Sequence, residues 1–160
     1  MAHSSPAILT RSISARAFLA VVVGGVTVGV LDLAYAILVY SPSKPILVPQ
    51  TIASGLLGER AYGGGARTAA LGVVLHFVIA LVAAAVYYFA SRKFGFLVDH
   101  AITAGVTYGA LVYLFMHLIV LPLSAVPAGG MPLVYRIVEF VEHWFCVGLP
   151  ISLSVRFFAR

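Results

Sequence analysis

The stretch LVYRIVEFVEHWFCVGLPISLSVRF, residues 133–157, decides the fold, because it is either a transmembrane helix or a charged interruption between apolar segments. Most of its ionisable side chains lie in RIVEFVEHWF, residues 136–145. On a helix that turns about 100° per residue, a polar stripe about 80° wide contains Arg136, Glu139, His143, Cys146, Pro150 and Ser154. Glu142 lies on the flank of this stripe, and apolar side chains occupy the remaining surface. The periodicity therefore predicts an amphipathic membrane helix.

The composition indicates an integral membrane protein. Of the 160 residues, 62% are hydrophobic and 9% are charged, and the mean hydropathy is +1.07. One crossing takes about 20 mostly apolar residues, so a chain of this length can span the bilayer three to five times. The single cysteine excludes an internal disulfide and a CxxC motif. The net charge of +5 comes from basic residues scattered at segment ends, so we predict no nucleic-acid partner.

Three further apolar segments precede the final stretch, at about 17–40, 68–90 and 100–121. We predict that residues 1–160 form a single membrane domain, an all-α bundle of four transmembrane helices in a lipid bilayer. We refer to the four segments as spans one to four. The exposed face of span four carries Trp144 and Phe145, which leaves room for a second copy of the chain or for a membrane partner protein.

The connection between spans one and two is too long for a tight turn and too polar to cross the membrane. Pro49 suits the first turn of a helix, and Ile52, Ala53, Leu56 and Leu57 then share one face. Glycines end the pattern at residue 58. We therefore predict a short interfacial helix at about 49–58.

Lysine and arginine positions predict the orientation. Six of these residues flank the termini and the connection between spans two and three, and four flank the opposite side. Because cytoplasmic loops carry the excess of basic residues, we predict that both termini are cytoplasmic.

Small residues indicate which faces of the helices pack together. Gly25, Gly29 and Asp32 share one face of span one, and Gly72, His76 and Ala80 lie on one stripe of span two. Gly105 and Gly109 repeat the GxxxG spacing in span three, whereas His117 lies off that face. Counted at about 1.5 Å per residue from the predicted outer end of each span, six ionisable groups lie roughly 7–16 Å deep. They are Asp32, His76, His117, Glu139, Glu142 and His143.

Ionised groups at this depth cost about 2.5–3.5 kcal/mol each on insertion scales, so we predict that the six meet in one polar cavity. We expect Arg136 to pair with Glu139, and Glu139 to hydrogen-bond to His143 and leave one imidazole nitrogen free.

Three uses of such a cavity remain open. The first is proton-linked transport or sensing of a small solute, because histidines titrate near pH ~6.5. The second is a structural or accessory role without a substrate. The third is a bound metal or haem, since histidines with carboxylates suit zinc or iron and facing histidines suit haem. No HExxH or paired ExxH motif supports the third use, so we predict no cofactor. The motifs GxSxG and GxGxxG and the P-loop are absent, so nothing indicates an enzyme.

Four stretches carry a resemblance to a known group of proteins. They are LVPQTIASGLLG (47–58), ALGVVLHFVIALVAAAVYY (70–88), YGALVYLFMHLIVLPLSA (108–125) and EHWFCVGLPI (142–151). Together they resemble small four-span bacterial inner-membrane proteins similar to the YagU type, over roughly residues 45–155. The resemblance implies a bacterial inner-membrane location and supplies no catalytic residue or cofactor.

Overall fold

The computed structural model describes residues 6–127, 129 and 131–159, with side-chain environments for 15–127, 129 and 131–158. Every regular element in these ranges is helical. The α-helices are α1 (Pro6–Tyr40), α2 (Leu47–Leu57), α3 (Gly65–Lys93), α4 (Phe96–Asp99), α5 (Ala101–Phe115), α6 (Leu121–Leu123), α7 (Leu133–Glu142) and α8 (Leu149–Ala159). A 3₁₀ turn covers Gly58–Gly63, and π-helical turns cover Met116–Val120 and His143–Gly148.

Within the described ranges, four helical stretches are long and apolar enough to cross a membrane, which confirms the predicted fold class. They are Ala15–Tyr40, Gly65–Lys93, Ala101–Leu123 and Leu133–Phe158. Each agrees with a predicted span to within three residues at either end. Span four has the lowest mean hydropathy, 1.3, because its polar stripe interrupts the apolar sequence. It is continuous across the π-helical turn, so the charged stretch lies within a spanning helix.

Glycines set the distances between the spans. An added Cβ at Gly25 would lie 2.9 Å from Leu81 Cα, and one at Gly29 would meet the ring of Phe77, so spans one and two touch at both positions. In span three, an added Cβ at Gly109 would meet the carbonyl oxygen of His143, and Gly105 lies against the backbone of Gly148. The GxxxG pair of span three therefore packs on the π-helical turn of span four.

The order of neighbours around the bundle is two, one, four, three. Span one packs on span two and on α8, and span three packs on span four. Between spans two and three, tyrosine rings bridge the gap: Tyr87 and Tyr108 have ring centroids 4.9 Å apart. The Tyr108 hydroxyl donates to the carbonyl of Ala83 at 2.7 Å. Apolar residues fill this end of the bundle, so the space left open lies at the opposite end, under α2.

Helix α2 packs on the bundle through small and polar residues. Its buried residues are Pro49, Gln50, Ala53 and Ser54. Of the residues that the sequence pattern put on one apolar face, Ala53 is buried, whereas Leu56 is 65% exposed and Leu57 is also exposed. The physical reason is that lipid accepts leucine, so an apolar face can point outward in a membrane protein. The small and polar residues then allow α2 to approach Gly72, which lies against the carbonyl of Pro49.

Gln50 anchors α2 to the start of span two and supports a first prediction. Its side chain is 3% exposed, and its Nε2 donates to the Gly65 carbonyl at 3.1 Å and approaches Thr68 Oγ1 at 3.3 Å. We expect Gln50→Ala to lower the free energy of unfolding by about 1–3 kcal/mol, because the hydrogen bonds that the buried Gln50 side chain makes to Gly65 and Thr68 are lost. Thermal unfolding in detergent measures the loss, and Thr51→Ala, at an exposed position of the same helix, is the control. Equal losses in both variants would contradict the anchoring role.

Candidate functional site

A cavity of about 440 Å³ lies under α2, lined by residues of α2 and of all four spans. All six ionisable residues singled out in the sequence line it: Asp32, His76, His117, Glu139, Glu142 and His143. Among the other lining residues within the described ranges there is no lysine or arginine. The rest of the wall is largely apolar, with tyrosines from span one. The six residues therefore share one cavity, and the described residues of its wall include no lysine or arginine that would pair with the carboxylates.

The first carboxylate–imidazole pair joins spans one and two. His76 Nε2 lies 3.6 Å from Asp32 Oδ2, and the same nitrogen is 3.1 Å from the carbonyl oxygen of Gly29. Since a carbonyl accepts, Nε2 carries the proton when this bond forms. Gly29 makes the contact possible because it lies about one turn before Asp32 and leaves its carbonyl uncovered. Hence the backbone of span one orients His76 beside Asp32.

The second pair joins spans three and four. His117 Nε2 lies 3.4 Å from Glu139 Oε2. Its Nδ1 donates to the carbonyl of Tyr113 at 3.1 Å, and its ring stacks on the Tyr113 ring with centroids 4.0 Å apart. The helical wheel put His117 away from the packing face of span three. The ring stack and the π-helical turn that contains His117 bring it to the cavity wall.

The third pair lies within span four. Glu142 is 6% exposed and His143 is 9% exposed, so they are the most buried ionisable residues of the cluster. Glu142 Oε2 lies 2.9 Å from His143 Nδ1, and that nitrogen donates to the backbone carbonyl of Glu139 at 2.9 Å. Glu142 was predicted on the flank of the polar stripe, but the structure places it at the buried centre.

One expected contact of Glu139 is wrong, and the other forms through the backbone. Arg136 is exposed and makes no ion pair with Glu139 among the residues that the structure describes; the neighbour of that carboxylate is His117. The link from Glu139 to His143 runs through the Glu139 backbone carbonyl, and the carboxylate beside His143 is that of Glu142. The physical reason is that Arg136 can reach water at the end of the helix, whereas Glu139 is turned inward toward span three.

Both π-helical turns contain a histidine and end two residues before a proline. The first precedes Pro122 and the second precedes Pro150. Proline cannot donate the backbone hydrogen bond that an α-helix requires, so the preceding turn widens. Such turns are frequent at functional sites. In spans three and four, such a turn changes the angle between side chains before and after it. A regular helical wheel does not include this change.

Several buried polar atoms in the wall have no hydrogen-bond partner among the described residues. They include Glu142 Oε1, Glu139 Oε2 and the Tyr40 hydroxyl. The 3.4 Å approach of Glu139 Oε2 to His117 is close enough for an ion pair but is not a well-aligned hydrogen bond. Buried polar atoms are normally paired. The cavity therefore presents acceptors that a ligand can satisfy.

One group in the cluster has the spacing of metal ligands. Asp32, Glu142 and His143 each offer one donor atom, and these atoms all lie within 4.8 Å of one another. The sequence placed all three residues at similar depth but did not show which of the six would group together.

Three further lining residues were not predicted from the sequence: Tyr35, Tyr40 and Thr51. Tyrosines near the end of a spanning helix are usually interface anchors, so their position in the sequence does not indicate that they face inward. Thr51 lies on α2, four residues after Leu47, whose carbonyl accepts its hydroxyl at 2.9 Å.

Comparison of the chain with protein-family models, with curated proteins and with solved structures finds no match.

Proposed function

We propose that the protein moves or senses a small cation by proton exchange through the cavity under α2. The observation that carries this proposal is the lining: three carboxylates and three histidines surround about 440 Å³, with no lysine or arginine among the described residues of the wall. A cavity of this size is within the range of small-molecule sites. We propose a ligand of positive charge, because a cation offsets the negative charge of the carboxylates and no lysine or arginine among the described residues of the wall does so.

The negative charge of the carboxylates, held in the low-dielectric interior of a membrane, favours the binding of a cation. Each ionised carboxylate inside a bilayer costs about 2.5–3.5 kcal/mol on insertion scales unless it is paired. Protons on the carboxylates or imidazoles can reduce this cost, and so can a bound cation. Both compete for the same oxygens, so binding a cation displaces protons.

The three carboxylate–imidazole pairs support the exchange of protons. Each carboxylate of the wall has one imidazole nitrogen within 3.6 Å: Asp32 with His76, Glu139 with His117, and Glu142 with His143. Histidine is the side chain that ordinarily changes charge near neutral pH. The groups that face one another from all four spans are therefore suited to pass a proton when a cation enters or leaves.

The location and orientation belong to the same proposal. The excess of basic residues supports a cytoplasmic location for both termini, with the α2 end and the cavity on the outer side. The resemblance noted in the sequence supports a location in the bacterial inner membrane.

Reconstituted vesicles test the proposal. We expect the addition of Zn²⁺, Mn²⁺ or benzylammonium to one side of protein-containing vesicles to move protons in the opposite direction, recorded with a trapped pH-sensitive dye. The double variant Asp32→Asn/Glu142→Gln should lose this signal, because two of the three carboxylates of the wall are neutral. Glu59→Gln is the matched control, since Glu59 lies outside the cavity lining.

Binding of a cation without proton movement indicates sensing. If no cation binds or moves protons, and substitutions in the six residues lower only thermal stability, the cluster has a structural role and the proposal fails.

A further inference from the structure

We infer that Asp32, Glu142 and His143 bind one divalent transition-metal ion. This inference rests on the proposed function, since it names the class of cation that the cavity takes. The three residues come from spans one and four, and their donor atoms lie within 4.8 Å of one another. A metal ion with ligand bonds of about 2.0–2.2 Å holds its donors at most about 4.4 Å apart. Small rotations of the side chains therefore close the site around an ion.

The Glu142 carboxylate is prepared for a ligand. The residue is 6% exposed, and its Oε1 has no hydrogen-bond partner in the described part of the chain. It lines the cavity. A buried carboxylate oxygen without a donor is costly, and a metal ion supplies the positive charge that this oxygen lacks. This observation is independent of the spacing of the three donors.

The hydrogen bond of the His143 ring favours a tautomer that metal-binding histidines use. Its Nδ1 donates to the backbone carbonyl of Glu139 at 2.9 Å, which assigns the proton to that nitrogen and leaves Nε2 with a free lone pair. Histidine ligands usually donate their other ring nitrogen to a carbonyl or a carboxylate. The neighbouring Glu142 oxygen, 2.9 Å from the same Nδ1, reinforces this tautomer.

Asp32 also has an outer partner. His76 lies 3.6 Å from its Oδ2 and is itself held by the carbonyl of Gly29. Such outer contacts fix the direction of a ligand and change metal affinity by about 10–100-fold when removed. His76 is thus a positioning residue, and the site has support from span two as well as from its own spans.

The formal charge of the three ligands favours a divalent ion. Two carboxylates and a neutral imidazole carry a formal charge of −2, so a divalent cation makes the site neutral inside the membrane. The donor set of two oxygens and one nitrogen suits Zn²⁺, Mn²⁺ or Fe²⁺, whereas Ca²⁺ and Mg²⁺ prefer oxygen ligands alone. Three protein ligands leave a position open toward the cavity, as in sites that exchange their ligands and unlike closed structural sites.

Metal binding to the purified full-length protein, prepared without a polyhistidine tag, tests the inference. We expect calorimetry and elemental analysis to give one Zn²⁺ or Mn²⁺ per chain. Asp32→Asn, Glu142→Gln and His143→Ala should each raise the Kd more than about 100-fold, since even outer partners contribute about 10–100-fold. His76→Ala should give a smaller rise, within that range. The controls are Glu59→Gln and His100→Ala, at exposed positions outside the cavity lining, which should bind as the wild type does.

The outcomes separate this inference from the proposed function. If Zn²⁺ and Mn²⁺ do not bind while benzylammonium binds and moves protons, the proposed function stands and the metal site is wrong. If all site variants retain the metal, the ion is held elsewhere and the inference also fails. Circular dichroism shows whether each variant folds. If a ligand variant does not fold, His76→Ala still tests the site, because it leaves the three ligands intact. Graded loss across His76→Ala and the ligand variants supports the site.

Discussion

Gly109→Ala is expected to separate spans three and four and to lower the free energy of unfolding by about 1–3 kcal/mol or more. An added Cβ at this position meets the carbonyl oxygen of His143 and the Cα of Trp144, both backbone atoms that cannot rotate away. Alanine otherwise favours a helix by about 1 kcal/mol over glycine, so the sign of the effect distinguishes a packing contact from helix propensity. Thermal unfolding in detergent, followed by circular dichroism, measures the change.

Gly55→Ala is the matched control for this variant. Gly55 lies within a helix, and the nearest atom to its added Cβ is 3.9 Å away, which is an ordinary contact. We expect it to be neutral or stabilising. Because Gly109 abuts the backbone of His143, its replacement should also weaken metal binding. A Gly109→Ala protein as stable as Gly55→Ala would show that spans three and four do not approach this closely.

Glu142→Gln is expected to make the metal-free protein more stable while it removes cation binding. The wild-type carboxylate is buried with one oxygen unpartnered, and Asp32 lies close enough to share a ligand with it. The amide has no charge and can donate to the Asp32 carboxylate, so we expect a gain of about 1–3 kcal/mol. For a chain of this size that gain corresponds to roughly 2–4 °C in Tm for each kcal/mol.

The measurement for Glu142→Gln is thermal unfolding with and without Zn²⁺. Added metal should raise the Tm of the wild type, because a ligand that binds the folded state stabilises it. It should leave the variant unchanged. The control is Glu59→Gln, which alters a carboxylate outside the cavity lining. If Glu142→Gln instead unfolds at a lower temperature than the wild type in the absence of metal, the carboxylate contributes to the fold, and the structural role gains support.

Gly109→Ala and Glu142→Gln both affect the part of span four around His143, the first through packing and the second through a buried charge. Gly109 fixes how closely the backbone of His143 approaches span three. Glu142, which precedes His143 in the chain, is buried in the wall of the cavity. The stability that the packing contributes can therefore offset the cost of holding an unpaired carboxylate in the membrane, which is a common balance at functional sites.

Hydropathy in the sequence determined the number of spans, because the bilayer requires about 20 apolar residues in each crossing. It also determined the all-α class, because lipid offers no hydrogen-bond partner to backbone N–H and C=O groups, which a helix pairs internally. These requirements act on each segment separately. The depth of a residue in a helix is also local, since each residue advances about 1.5 Å. For that reason Asp32, His76 and Glu139 could be assigned to one layer before any contact was known.

Contacts between helices depended on the tertiary structure. The order of the spans places Asp32 beside His76 and sets Glu139 beside His117, and no local pattern encodes that order. The π-helical turns before Pro122 and Pro150 change the angles that a regular helix predicts. The apolar pattern of α2 did not decide which face of this helix packs on the bundle, because lipid and protein both accept apolar side chains. The sequence alone therefore determined which residues are buried in the membrane, while only the packed bundle decided which of them meet.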